Sequence, residues 1–117
     1  MAVLRIVPNL PAREPAALAG WYREVLGLAV VMDHGFIVTL AAEGAAQGSQ
    51  LSVASEGGAG TALPLVSVEV DDLDGVIRRA GEAVVYGPAV EEWGVRRIYL
   101  RDPEGNLVNV LCHIGQG

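Results

Sequence analysis

The stretch WGVRRIYLRDPEGNLVNVLCH, residues 93–113, predicts a strand, a tight turn and a second strand. Successive side chains of a strand point to opposite faces. This alternation places Ile98 and Leu100 on one face and Arg97 and Tyr99 on the other. The first face is apolar and suits a core, whereas the second mixes charged and aromatic groups, as a ligand-lining surface does.

The second predicted strand of this hairpin alternates in the same way. It follows the turn Asp102–Gly105, where proline and glycine supply the backbone angles of a chain reversal. Its core face carries Val108, Val110 and Cys112, and its other face carries Leu107, Asn109, Leu111 and His113. The hairpin therefore has one apolar face and one mixed face.

The composition indicates a small globular protein. The 117 residues suit a single domain, and 51% of them are hydrophobic while 19% are charged. The single cysteine excludes an internal disulfide and fits a reducing compartment, and no signal peptide or membrane span is expected, so we predict a cytoplasmic protein. The net charge of -6 argues against nucleic acid as a partner.

The first half of the chain is predicted to have the element order β-α-β-β-β. Strands are predicted at residues 1–10, 28–32, 36–41 and 50–55, with a loop over Glu43–Gly48. A helix is predicted between the first two strands, because Pro15 suits a first helical turn and Gly27 a helix end. Its apolar side chains at three- and four-residue spacing are Leu18, Trp21, Tyr22, Val25 and Leu26.

The second half repeats this order. Strands are predicted at residues 64–70, 83–86, 95–101 and 107–113, and a helix begins at Asp71-Asp72 and ends at Gly81. The dipeptide Gly87-Pro88 is expected to end the strand before it. We predict one domain, residues 1–117, with two modules, 3–55 and 64–113, joined by a flexible glycine-rich linker over residues 56–63.

Three motifs give the chain a family resemblance. They are WYREVLGL at residues 21–28, VDDLD at 70–74 and DPEGN at 102–106. In this order they resemble the vicinal oxygen chelate (VOC) superfamily of glyoxalase I, bleomycin and fosfomycin resistance proteins and extradiol dioxygenases. The resemblance implies an α+β fold in which two βαβββ modules form a curled, cup-shaped mixed sheet with helices outside. It also implies a homodimer, with or without exchange of modules between chains.

Metal-dependent members of that superfamily carry a histidine on the first strand and a carboxylate on the last strand of each module. Carried over by spacing, these positions fall on Val7, Ser52, Leu65 and Asn109. None of these side chains is an ordinary ligand of a divalent ion. We therefore expect no metal site, no cofactor and no catalytic residue. His34 is expected to be exposed in a turn, and His113 to be structural or to line the rim of the site.

The predicted ligand-binding surface consists of side chains on the mixed faces of the strands. Its members are Val7, Asn9, Leu65, Ser67, Glu69, Trp93, Arg97, Tyr99, Leu107, Asn109 and Leu111. Arg97 is expected either to contact a ligand or to pair with Glu69, and Trp93 to contact a ligand, anchor a loop or contact a second chain. Glu91 and Glu92 are the other acids expected nearby, and Trp21 and Tyr22 are expected in the core.

The resemblance and the missing ligands favour one function. It is a metal-free protein of the bleomycin-resistance-like branch that sequesters a small molecule, an antibiotic or an aromatic metabolite. The alternative is a metal-dependent lyase, isomerase or dioxygenase with ligands at other positions, so enzymatic activity stays open. A regulatory module without a ligand is a third hypothesis.

Overall fold

The computed structural model describes residues 2–42 and 49–114. Its first half contains β1 (Val3–Pro11), α1 (Pro15–Leu26), β2 (Leu28–Asp33), β3 (Ile37–Ala42) and β4 (Gln50–Ala54). Its second half contains β5 (Val66–Val70), α2 (Leu73–Ala80), a 3-10 turn (Gly81–Ala83), β6 (Val84–Glu91), β7 (Val95–Arg101) and β8 (Leu107–His113). The α+β class and the repeated βαβββ order are confirmed. The predicted loop Glu43–Gly48 lies outside the described residues.

The chain divides into two compact units. The first unit is Val7–Leu63, and the second unit combines the N-terminal residues up to Ile6 with the residues from Pro64 onward. Strand β1 therefore contributes residues to both units. The module limits at residues 55 and 64, the homodimer and the exchange of modules stay predictions.

The first unit packs α1 on one face of a four-stranded sheet. The strand order is β2-β3-β4-β1, with β1 parallel to β4 and the other neighbours antiparallel. Ala19 of α1 packs with Val38, Leu40 and Val53, which are almost completely buried. Alternation along the strands explains this core, because Thr39 lies between Val38 and Leu40, Ser52 precedes Val53, and both polar side chains face the other way.

The predicted apolar face of α1 is only partly correct. Leu18 and Tyr22 pack on the core, but Trp21, Val25 and Leu26 are more than half exposed. The buried side of the helix is centred on Leu18, Ala19 and Tyr22, and Trp21 lies roughly 100° away from it at 3.6 residues per turn. The prediction that Trp21 belongs to the core is therefore wrong.

The second unit repeats this architecture with α2. Its strand order is β5-β8-β7-β6, with β5 parallel to β8 and the other neighbours antiparallel. Leu73 of α2 packs with Val70, Ile98 and Val110, and Cys112 packs against the same cluster. The apolar faces predicted for β7 and β8 are thus confirmed. Strand β5 begins at Val66, two residues later than predicted.

The prediction that a strand ends before Gly87-Pro88 is wrong. Strand β6 continues through this dipeptide to Glu91, with a register shift between Tyr86 and Ala89 opposite β7. A side chain at residue 87 would meet the backbone oxygen of Arg97 at 2.5 Å, and the backbone there has φ +82°. Glycine therefore fits a strand irregularity here as well as it fits a turn.

The glycine-rich segment at the end of the first unit forms hydrogen-bonded turns. The Gly57 N–H donates to the Thr61 carbonyl at 3.0 Å, and the Thr61 hydroxyl donates to the Gly58 carbonyl at 2.7 Å. Ala59 has a left-handed φ of 53°, a conformation that glycine adopts at lower cost. The segment therefore has local hydrogen bonds of its own, and its role as a flexible linker stays a prediction.

Helix α1 ends, and helix α2 begins, at the residues that the sequence predicts. Gly27 closes α1 in the left-handed conformation and donates its N–H to Arg23 O at 3.0 Å. Asp72 precedes α2, and its carboxylate accepts the Gly75 N–H at 3.0 Å. Within the described residues, no helix has the length and apolar character that crossing a membrane requires.

We expect Asp72→Ala to lower the free energy of unfolding by about 1 kcal/mol, because α2 loses its side-chain cap. Asp72→Asn, which keeps an oxygen acceptor, is the matched control and should stay close to the parent protein. Urea unfolding followed by circular dichroism measures both. Equal losses in the two variants would contradict the capping role.

Candidate functional site

The polar side chains of the second unit share the sheet face opposite α2. Ser67 is aligned with Asn109, Asn109 with Tyr99, and Tyr99 with Tyr86. This row crosses all four strands of the second unit's sheet. Because α2 covers the alternate side chains, the row lies on the face away from the helix. We call this surface the polar face of the second unit.

Arg97 is the most deeply buried charge of the polar face. Its side chain is only 3% exposed, and its Nε lies 2.6 Å from the Glu91 Oε2, which belongs to a carboxylate that is also buried. A buried guanidinium without a carboxylate partner would be strongly destabilising. The ion pair to Glu91 replaces the predicted pair with Glu69.

Three aromatic rings surround the same guanidinium. The Arg97 Cζ lies 4.7 Å from the ring centre of Tyr99, 4.9 Å from that of Trp93 and 5.5 Å from that of Tyr86. These distances are within the range of cation–π attraction. We call Arg97, Glu91, Tyr86, Trp93 and Tyr99 the arginine cluster. It fixes the rings relative to one another.

Trp93 is held at the edge of this cluster by the turn between β6 and β7. The Gly94 N–H donates to Glu91 O at 3.1 Å, and the Ile114 N–H donates to Gly94 O at 3.0 Å. Gly94 has φ +91°, which only glycine adopts readily. The Trp93 side chain is partly exposed, whereas Tyr99 is 3% exposed. Trp93 is therefore the accessible aromatic group next to a buried one.

Tyr86 connects to the cluster through its hydroxyl. The O–H donates to Glu91 Oε2 at 2.8 Å. This hydrogen bond is the largest cause that raises the pKa of Tyr86 above its ordinary value of 10.0, followed by burial and the negative charge of Glu91. The folded structure thus favours the neutral phenol.

Asn109 lies next to Ser67 on the polar face. Its Nδ2 donates to the Ser67 Oγ at 3.0 Å, and the residue is 9% exposed. Its Oδ1 is buried and has no hydrogen-bond partner among the described residues. A buried acceptor left in this state costs about 1–3 kcal/mol. Asn109 therefore has an unused hydrogen-bonding capacity within the predicted site.

Glu69 forms a second charged group on this face. Its Oε1 lies 3.0 Å from Arg5 Nε, and its Oε2 lies 2.9 Å from His113 Nδ1. His113 is exposed at the end of β8, in agreement with a structural role or a place at the rim. The carboxylate thus ties the N-terminal strand segment and the end of β8 to β5.

The other predicted site residues have different surroundings. In the first unit Val7 and Asn9 are buried, and Asn9 is aligned with Ser52 of β4. In the second unit Leu111 is buried and Leu107 is half-buried, whereas Leu65 precedes β5 and is 59% exposed. His34 is exposed in a turn, as predicted. Their roles as ligand contacts stay predictions.

The side chains at the four metal-ligand positions do not fit a divalent ion. In the first unit Val7 has no donor atom, and the Ser52 hydroxyl is hydrogen-bonded to that of Thr39 at 2.7 Å. In the second unit Leu65 has no donor atom, and Asn109 offers one neutral amide oxygen. Across residues 2–42 and 49–114, no group of three or more His, Cys, Asp or Glu side chains is placed to hold a metal. Imidazole and carboxylate, which metals of this kind require, are missing from these positions.

Two residues of the arginine cluster, Tyr86 and Glu91, are not part of the predicted site. The sequence predicts only a short strand for Tyr86 and a place near the site for Glu91, because Gly87-Pro88 indicates the end of a strand. The signal that could have found them is the continuation of alternate side chains from Tyr86 to Glu91 across one bulge residue.

The fold and this surface define a class of protein. A family model described as "Glyoxalase-like domain" matches residues 5–111. The chain therefore belongs to the glyoxalase-like domain family, within the glyoxalase/bleomycin resistance/dioxygenase (VOC) superfamily. No curated protein matches the chain significantly.

Solved structures share this fold at low sequence identity. A protein from Legionella pneumophila described as an NAD-dependent benzaldehyde dehydrogenase is 11% identical, with a TM-score of 0.72, and the match covers 92% of this chain and 98% of that one. A glyoxalase/bleomycin resistance protein/dioxygenase superfamily member from Vibrio splendidus is 16% identical, with a TM-score of 0.66 and coverage of 95% and 99%. Methylmalonyl-CoA epimerase from Mycobacterium tuberculosis is 18% identical, with a TM-score of 0.54 and coverage of 97% and 89%. At these identities the likeness shows the fold alone.

We expect Glu91→Gln to destabilise the protein by about 3–5 kcal/mol, because Arg97 would keep a buried charge without a carboxylate. Arg97→Met with Glu91→Leu, which removes both charges, is the matched control and should recover much of the loss. Thermal and urea unfolding measure the effect. A loss below about 1 kcal/mol in the single variant would mean that the pair lies in a solvated environment.

We expect Tyr86 to ionise above pH 10.0, since its pKa is raised. A group whose pKa is raised on folding contributes its full stabilisation at pH values below its unfolded-state pKa. It loses this contribution as the pH rises through its folded-state pKa. An ultraviolet titration of tyrosinate should therefore lose a component with a midpoint above pH 10.0 in Tyr86→Phe. In Glu91→Gln the Tyr86 component should move to lower pH, and an unchanged midpoint would contradict the assigned cause.

Proposed function

We propose that this protein binds a small aromatic organic molecule on the polar face of the second unit, without a metal ion. The observation that carries the proposal is the arginine cluster. It holds three aromatic rings around one buried guanidinium, on the sheet face that α2 does not cover.

The fixed arrangement of side chains in the arginine cluster supports a binding role. Binding a flat molecule costs less when the side chains that receive it are already fixed. The ion pair of Arg97 with Glu91 and the hydrogen bond from Tyr86 hold the rings in place before any ligand arrives. Trp93, which is partly exposed, is the side chain on which a ligand ring stacks.

The chemistry of the donor set supports binding without a metal. The positions that carry metal ligands in relatives hold valine, serine, leucine and asparagine here. The proposed ligand is an antibiotic of the bleomycin type or an aromatic metabolite. The three sequence motifs support the superfamily, and the lack of metal donors at these positions supports the bleomycin-resistance-like branch within it. A cytoplasmic location, supported by the single cysteine, belongs to the same proposal.

The chain offers a matched pair of variants to test this. Trp93→Ala should weaken binding by tenfold or more, corresponding to about 1.4 kcal/mol or above, because the ligand loses its accessible aromatic surface. Trp21→Ala, which removes the exposed tryptophan of α1, should leave binding unchanged. Calorimetric titration with bleomycin, indole and a panel of aromatic metabolites, with and without a chelator, measures both variants.

Three results would overturn the proposal. One is the absence of binding for every probe. Another is loss of binding in Trp21→Ala but not in Trp93→Ala, which would place the ligand beside Trp21 of α1. The third is loss of binding when the chelator is present, which would indicate that a metal ion takes part.

We also propose that two chains associate as a homodimer. Each unit leaves large apolar side chains exposed, Leu4, Ile6 and Leu65 in the second unit and Trp21, Val25 and Leu26 in the first. Contiguous exposed apolar surface is typical of interaction sites. Sedimentation equilibrium should give twice the mass of the 12.2 kDa chain. A single-chain mass at high concentration would contradict the dimer.

A further inference from the structure

We infer that His113 Nε2, at the end of β8, accepts a hydrogen bond from a hydroxyl group of the ligand, so that the site selects aromatic molecules that carry such a group. Glu69 and Arg5 are the positioning residues of this acceptor. The inference rests on the proposed function and adds the chemical class of the ligand.

A carboxylate orients the His113 imidazole. The Nδ1 atom lies 2.9 Å from Glu69 Oε2. An ionised carboxylate only accepts hydrogen bonds, so Nδ1 carries the proton that it donates to Glu69. In the neutral imidazole the other ring nitrogen, Nε2, then holds the lone pair and is an acceptor. The contact with Glu69 therefore determines both the direction and the hydrogen-bonding character of Nε2.

Glu69 is in turn held by Arg5. Its Oε1 lies 3.0 Å from Arg5 Nε, and its side chain is only 18% exposed. On the other side of His113, the aligned residue of β7 is Val95, which has no charge. Arg5 on β1 and Glu69 on β5 are therefore the charged side chains that the described contacts connect to the imidazole.

The acceptor is accessible. The His113 side chain is 35% exposed, and among the described residues its only hydrogen-bond partner is Glu69, at Nδ1. A hydroxyl group can therefore approach Nε2 without displacing a protein group.

Backbone contacts place His113 at the same end of the polar face as Trp93. Val95 is aligned with His113, and the Gly94 carbonyl accepts the Ile114 N–H at 3.0 Å. The turn that carries Trp93 is thus joined to the end of β8. Alternation along β7 puts Val95, and with it His113, on the sheet face of the arginine cluster. One small molecule can therefore contact both Trp93 and His113.

Two probes that differ in one group test the acceptor. 2-Naphthol has a hydroxyl group, and 2-methoxynaphthalene has the same rings with a methyl ether in its place. In calorimetric titrations at about pH 8, where an ordinary histidine is neutral, the parent protein should bind 2-naphthol about tenfold more tightly. In His113→Phe, which keeps a ring and removes the acceptor, the two affinities should become equal. His34→Phe, which changes the exposed histidine of the β2–β3 turn, is the matched control and should keep the preference.

A pH profile separates the acceptor from a purely structural histidine. When the imidazole takes up its second ring proton, Nε2 becomes a donor and no longer accepts a hydrogen bond. The affinity of the parent protein for 2-naphthol should therefore fall as His113 is protonated at lower pH, while the affinity for 2-methoxynaphthalene stays constant. A histidine that only ties β8 to β5 would change both affinities together.

The positioning role of Glu69 has its own measurement. In Glu69→Gln the side-chain amide can donate to Nδ1, which leaves the ring proton on Nε2. The preference for 2-naphthol should therefore be lost although His113 is present. The nitrogen NMR signals of the imidazole should show the proton on Nδ1 in the parent protein and on Nε2 in the variant.

The outcomes separate the two proposals. Equal affinities for the two probes in the parent protein, a preference that persists in His113→Phe, or a parallel pH dependence of both probes would overturn the inference and leave the proposed function standing. Failure of 2-naphthol to bind would also overturn the inference. If bleomycin, indole and the metabolite panel fail as well, the proposed function falls with it.

Discussion

The burial of the Arg97 guanidinium constrains the second unit more than any other single feature. A charge with 3% exposure needs a carboxylate and polarisable surroundings, and the sequence supplies Glu91 together with three aromatic rings. Meeting this requirement fixes the end of β6, the β6–β7 turn and the position of Trp93. The local structure of the proposed site therefore follows from the need to stabilise one buried cation.

Alternation along the strands separates this polar cluster from the apolar core. In β7, Ile98 faces the core under α2, while Arg97 and Tyr99 face the opposite side. The same sheet thus provides packing energy on one face and chemical groups on the other. The first unit uses the same arrangement for its core under α1, with Thr39 and Ser52 joined by a hydrogen bond on the other face.

Sequence reasoning predicted the elements where a local signal determines them. The alternation in residues 95–101 and 107–113, the end of α1 at Gly27 and the start of α2 at Asp71-Asp72 each depend on neighbouring residues, and the structure agrees with all three. The sequence-based prediction failed where one local signal is compatible with two different structures. Gly87-Pro88 is compatible with a turn and with a strand bulge, and the apolar residues of α1 span too wide an arc to indicate which side is buried. The partner of Arg97 could not be predicted, because it depends on the register of β6 against β7.

The missing metal donors and the ordered aromatic cluster support the same proposal. In it, the protein binds a small molecule by shape and hydrogen bonding. A crystal structure of the protein grown with indole, from material purified without chelator, tests this account most directly. We expect an indole ring stacked on Trp93, on the sheet face of the second unit that α2 does not cover. A metal ion bound by side chains of this face, or indole bound only beside α1, would contradict it.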